Sequence, residues 1–192
     1  MNPTKEIGGA FLQTMTREEY DNRVHMLLGK VISKVIYYEV DYGDGLFHFF
    51  DDPRFDSLDF GLDLVLEEEE RFAITWGDEF WQYGISVKPK PLVSVQWTDR
   101  MLDVSTCSRW RLVLGKKIRS AEVSWSWCEE LGKPETRVYY PQDLLLRFDE
   151  GRVMVISALE IREEDRPMGM MDNITVFDDL EMAKTFKCFA ET

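Results

Sequence analysis

Between Leu58 and Trp76 apolar and polar residues alternate with a period of two. Leu58, Phe60, Leu62, Leu64 and Leu66 fall on one side, and Asp59, Gly61, Asp63, Val65 and Glu67 on the other. This is the pattern of a half-buried β-strand. Four glutamates, Glu67, Glu68, Glu69 and Glu70, make a turn. The period then resumes with Phe72, Ile74 and Trp76 inward and Arg71, Ala73 and Thr75 outward. The stretch predicts a hairpin with one apolar face and one acidic face.

The same reading extends along the chain. Thr16-Arg-Glu-Glu19 is a capping box. It opens a helix with Tyr20, Val24, Leu27 and Leu28 on one side, ended by Gly29. Strands are expected at Val31 to Val40, with Ile32, Ile36, Tyr38 and Val40 on the apolar face, and at Leu46 to Phe50. Two more are expected at Phe80 to Lys88 and around Val93 to Trp97. A second helix, carrying Cys107, Trp110, Val113 and Leu114, is capped by Asp103 or Ser105 and ends at Gly115. A strand follows, with Ala121, Val123, Trp125 and Trp127 inward. Then come a polar loop from Glu129 to Arg137 and a hairpin from Asp143 to Ile156. Met168 to Met171 is a flexible connection, Ile174 and Val176 mark a last short strand, and Asp178 caps a final helix.

The second half restates the first. Leu28-Gly-Lys-Val-Ile32 aligns with Leu114-Gly-Lys-Lys-Ile118, an offset of 86 residues. The Asp143-to-Ile156 hairpin resembles the Asp63-to-Ile74 hairpin in kind, with a shorter turn. Such a period is too long for a solenoid. The expected fold is α+β: antiparallel, β-rich sheets with a few short helices, in two tandem related halves packed together. Residues 1–15 form a loose arm, 16–100 the first half and 101–192 the second, with one continuous domain as the alternative.

Composition supports a filled core. The chain is 44% hydrophobic and has 6 Trp, 7 Tyr and 12 Phe, which excludes wholesale disorder. Its three cysteines, Cys107, Cys128 and Cys188, make no disulfide framework and suit a reducing compartment. No segment has the length and apolarity of a membrane span or a secretory leader. The expected location is the cytoplasm.

Charge changes the picture more. The net charge is −13, and residues 41–87 hold thirteen acids against two bases, a net of −11. Such a region repels nucleic-acid phosphates and anionic membranes and speeds encounter with a basic protein. An acidic surface also serves solubility alone. Aromatic residues interleave with these acids, among them Tyr42, Phe47, Phe80 and Trp81. Exposed aromatics ringed by acids form the composition of a protein-binding patch.

Catalytic signatures are not spelled out: there is no phosphate-binding glycine loop, no G-x-S-x-G elbow and no H-E-x-x-H. His25 reads as structural and His48 as a solvent-side strand residue. Cys107 reads as buried. Asp51, Asp52, Asp56 and Asp59 lack the spacing of a calcium loop. No cofactor or metal is expected.

The sequence therefore predicts an acidic protein-binding module, without direct nucleic-acid or membrane contact. It is of the inhibitor or immunity type, covering the active cleft of a basic toxin or nuclease. The expected partner-binding residues are Asp51, Asp52, Asp56, Asp59, Asp63, Glu67, Glu68, Glu69, Glu70, Asp78, Glu79, Phe80 and Trp81. Two rival readings are an enzyme with an acidic, aromatic-lined pocket for a sugar or cationic small molecule, and a structural or scaffold subunit.

Overall fold

The computed structural model describes residues 14–47, 50–77, 79–80, 84–92, 100–162 and 165–189. The strand expected around Val93 to Trp97, and most of the N-terminal arm, lie outside the described residues. What is described is mostly antiparallel β-sheet with two short helices.

Helix α1 (Arg17–His25) opens with the expected capping box. The Thr16 hydroxyl accepts the Glu19 amide, and the Glu19 carboxylate accepts the Thr16 amide. Strand β1 (Ile32–Glu39) follows, then β2 (Phe50–Asp52), β3 (Phe55–Leu58), β4 (Gly61–Leu66), β5 (Arg71–Gly77), β6 (Gly84–Lys88) and β7 (Arg100–Asp103). Residues 105–115 form helical turns without becoming an α-helix. Strands β8 (Ile118–Glu130), β9 (Lys133–Phe148), β10 (Val153–Arg162) and β11 (Arg166–Phe177) precede helix α2 (Leu180–Thr185). One sheet has the order β6-β5-β4-β1-β7, the other β2-β3-β11-β10-β9-β8.

The sheets face each other across one core. A single cluster of buried side chains takes Leu62, Leu64, Phe72 and Ile74 from the first sheet and Leu144, Leu146, Met154 and Ile156 from the second. Tyr20, Val24 and Leu27 of α1 enter it from one side, and Trp110 and Val113 of the helical turns from another. Both halves thus contribute to a shared interior.

The two sheets repeat one register. Ile32 pairs with Leu66 and Ile118 with Phe148, each beside a bulge. Leu64 pairs with Phe72 and Leu146 with Met154; Ile74 pairs with Val87 and Ile156 with Val176. Where the halves meet, the bonds are reciprocal. Gly29 donates to the Ile118 carbonyl at 2.9 Å and Gly115 to the Ile32 carbonyl at 3.0 Å, around an antiparallel bridge between Val31 and Lys117.

The bulges explain one misread face. A bulge between Ile32 and Lys34 shifts the parity of β1, so Val35 and Tyr37 reach the shared core while Ile36 and Tyr38 point the other way. The Leu58–Leu66 stretch is not one strand. It bends at Asp59–Phe60, so that Leu58 lies in the second sheet and Leu62 in the first. Gly61 sits at the crossing, where an added Cβ would come within 2.5 Å of the Ile74 carbonyl oxygen.

Other expectations are corrected too. The hairpin face opposite the core is not an open acidic face: Asp63, Val65, Ala73 and Thr75 are buried. The hairpin turns have equal length, and the register places Asp143 opposite Ser157 as Gly61 lies opposite Thr75. The polar loop is the end of β8, a two-residue turn and the start of β9, and the flexible connection is part of the long strand β11. Trp127 is exposed, because the β8–β9 ribbon runs past the sandwich at that point. Asp179, not Asp178, caps α2 by accepting the Met182 amide.

Candidate functional site

The described residues among the predicted partner-binding acids do not gather on one surface. Asp63 is fully buried in strand β4. It accepts the Tyr38 hydroxyl at 2.8 Å and the Leu92 amide at 2.8 Å, anchoring the segment that follows β6 across the outer face. Burial, with Asp63 adding negative charge, pushes the Tyr38 hydroxyl up to about 12. Asp56 is buried as well, between the Tyr37 hydroxyl at 2.7 Å and the Arg109 guanidinium at 3.2 Å. Arg109 also bonds Asp178 and the Asp52 carbonyl, so this network ties β3, β11 and the 105–115 turns together. Both acids are internal cross-braces and are corrected from open-face residues.

The remaining acids are spread out. Asp52 is held by Arg54, whose hydrogen bond keeps its carboxyl below the usual range. Asp59 accepts the Val40 amide at 3.2 Å. Glu67, Glu68 and Glu69 are exposed on the turn between β4 and β5, while Glu70 pairs with Lys30. Glu79 is mostly buried against Arg23 at 3.1 Å, and Phe80 is buried against Tyr20 and Trp125, so neither is a displayed patch residue. Asp78, Trp81 and the Asp51 side chain lie outside the described residues, as does His48.

Among the described residues, one surface that joins exposed apolar side chains to acids is the loop after β1. Asp41 accepts the Gly43 amide at 2.8 Å and Asp44 the Leu46 amide at 2.9 Å, two consecutive side-chain turns. Arg100 of β7 clamps the loop. It donates to Asp41 at 3.0 Å and to the Leu46 carbonyl, and its guanidinium lies 5.9 Å from the Phe47 ring centre. The clamp leaves Tyr42 and Leu46 each 62% exposed and Phe47 43% exposed. Partial burial and a hydrogen bond with Asp59 hold the Tyr42 hydroxyl above its ordinary pKa, and Asp172 and Glu39 add negative charge beside it. Tyr42 therefore presents an apolar ring inside a field of carboxylates, a setting that favours an approaching ammonium or guanidinium.

Composition marks Asp41 to Gly45 as a turn, but the strand expected from Leu46 does not form there, and Leu46 and Phe47 belong to the loop that Arg100 closes. Asp172 was missed because it is 130 residues away in sequence and arrives only through β11. A usable signal was present: Asp-x-Gly-Asp-Gly turns leave no regular period to bury the apolar residues between them.

Other features stand out on the described surface. The β8–β9 ribbon displays Trp127, Leu131 and Tyr139, with the Arg137 guanidinium 4.0 Å from the Trp127 ring centre. A shallow groove of about 370 Å³ lies between α1 and β8, lined by Arg17, Asp21, His25, Glu122 and Trp125 among others. His25 is exposed there and does not pack in the core. Cys107 is exposed, contrary to expectation, while burial raises the Cys128 and Cys188 thiols and disfavours their nucleophilic forms. No helix among the described residues is long and apolar enough to cross a membrane.

No family model, curated protein or solved structure matches the chain.

Proposed function

We propose that the chain is a cytoplasmic protein-binding module that holds a basic protein partner. It belongs to the inhibitor or immunity type, which neutralises a toxin or nuclease by covering a cleft that otherwise takes phosphates. The observation that carries this reading is the Arg100-clamped loop, where Tyr42, Leu46 and Phe47 stand exposed among Asp41, Asp44, Asp59 and Asp172. Exposed aromatics supply contact energy, and the carboxylates supply charge complementarity. Glu67, Glu68 and Glu69 act at longer range, steering the partner without touching it.

The test is affinity capture from the native source at low salt, with elution by a salt gradient. Wild type is run beside a Tyr42→Ala/Asp172→Lys variant. The expected result is one basic protein released at moderate salt from wild type and not retained by the variant. Equal retention by both, or no basic protein on wild type, overturns the reading.

We also infer that the halves arose from one helix-plus-sheet unit by tandem duplication. The shared register, the paired bulges and the reciprocal glycine bonds support this. In distant relatives the two Leu-Gly-Lys turns should keep their mutual offset relative to the strands that follow. A drift of one turn against its own strand would count against duplication.

A further inference from the structure

The outer faces of the two sheets have matching register positions but are sealed differently. On the second sheet, Val155 and Phe177 lie in a cluster with Ala183 and Phe186 from the α2 segment. The Phe186 ring stacks on Phe177 at 5.8 Å and meets Phe55 edge-on at 5.4 Å. On the first sheet the matching positions are Ala73 and Lys88. A short segment after β6 crosses this face, with Ala73 donating to the Lys90 carbonyl at 3.1 Å. Beside it lies a groove of about 270 Å³, walled by Phe60, Ala73, Trp76 and Leu92 with Lys88 and Lys90 at its edge.

The chemistry of this groove differs from the rest of the molecule. In a chain of net charge −13, the described residues of its lining carry two ammonium groups and no acid. Lys88 has a long contact of 3.9 Å to Glu79, which Arg23 engages more closely at 3.1 Å. Phe60 and Trp76 meet edge to face at 6.1 Å and form an aromatic corner. The Thr75 hydroxyl is used internally, donating to the Phe60 carbonyl at 2.8 Å, and so fixes the corner and is not aimed at a guest.

We propose that this groove binds a small planar aromatic carboxylate. Its ring lies against the Phe60–Trp76 corner above Ala73, on the face where the second sheet carries its own aromatic ring. Its carboxylate meets Lys88 and Lys90. Apolar walls with a few convergent charges are the usual make-up of a small-molecule site. The two ammonium groups select for charge, and the perpendicular rings select for a flat body.

The test is an amide and indole NMR titration of the full chain with 1-naphthoate, and in parallel with neutral 1-naphthamide. Naphthoate is expected to shift the Trp76 indole and the Ala73 and Thr75 amides saturably, with a Kd at or below about 1 mM. Naphthamide should bind roughly tenfold more weakly or worse, and Lys90→Glu should weaken naphthoate by a similar factor while Lys90→Arg retains it. Lys90 is exposed, so an otherwise unchanged spectrum shows that its variants are folded. Shifts that do not saturate, equal affinity for the amide, undiminished binding by Lys90→Glu, or shifts centred elsewhere would each overturn the proposal.

Discussion

The first sheet (β6-β5-β4-β1-β7) and the second (β2-β3-β11-β10-β9-β8) share their inner geometry and differ in almost everything outside it. Four strands of each meet in the same register, with a bulge at the same place. The link between the first two of those strands takes opposite courses. After β1 the chain makes the clamped loop and then adds β2 and β3 to the other sheet. After the start of β8 it runs on as a two-stranded ribbon ending in a fully exposed Leu131. The contrast teaches that the shared interior holds the registers fixed, while the links and covers are free to diverge into surfaces. The proposed partner patch and the proposed ligand groove both lie where the halves differ.

The largest effect should come from removing what closes one side of the sandwich. Trp110 is fully buried and its indole donates to the Tyr37 hydroxyl at 2.6 Å. Trp110→Ala should cost about 3–5 kcal/mol in urea unfolding. A loss well below that would mean the 105–115 turns are not integral to the common core.

A matched pair sharpens the register comparison. Gly61 and Asp143 hold equivalent positions, and a Cβ at Gly61 would come within 2.5 Å of the Ile74 carbonyl oxygen. Gly61→Ala should destabilise by about 1–3 kcal/mol through overpacking. Neutral behaviour at Gly61 would contradict the close approach of β5 to β4 at this position.

The hairpin turns offer a smaller, two-way test. Glu69 has φ +62° where its counterpart Gly151 has +73°. A non-glycine residue in this region is strained by about 1–2 kcal/mol. Glu69→Gly should therefore stabilise and Gly151→Glu destabilise, each by about 1 kcal/mol in thermal or urea unfolding. Shifts of the same sign would show that the turns are not equivalent.

Stability against pH separates buried from exposed carboxylates. Burial raises the Asp143 pKa despite hydrogen bonds from Ser157 and the Phe189 amide. The folded state thus holds that proton more tightly. Its contribution to stability is complete below the unfolded value near ~4 and is lost as pH rises through the raised folded value. Asp103 runs the other way. Hydrogen bonds from Ser105 lower its pKa, so its contribution is present above ~4 and lost as pH falls through the lowered value. Relative to Asp143→Asn, wild type should lose stability as pH climbs above ~4. A pH-independent difference in urea midpoints would remove Asp143 as a titrating brace.

Much of the interior was legible because period-two alternation names inward residues without knowing their neighbours. Leu62, Leu64, Phe72 and Ile74 were all read correctly from it. The capping box at Thr16 was equally readable, since its partners lie three residues apart. What failed was any feature set by a distant partner. Asp63 looks solvent-facing until the segment after β6 covers it, and Asp56 until Arg109 arrives. The bulge at Ile32–Lys34 has no compositional mark, so the parity of β1 was misread. The site suffered most, because charge counted along the chain does not say which carboxylates are already engaged.

The proposed function divides the work: the clamped loop makes the contact while the glutamate turn only steers. It is tested most directly by the association and dissociation rates of the captured partner, measured across ionic strength. Two variants are compared: Asp41→Lys/Asp44→Lys in the loop and Glu67→Lys/Glu68→Lys in the turn. The loop variant should dissociate faster and also associate more slowly. The turn variant should only slow association and flatten its salt dependence. An unchanged dissociation rate in the loop variant, or faster dissociation in the turn variant alone, would contradict this division.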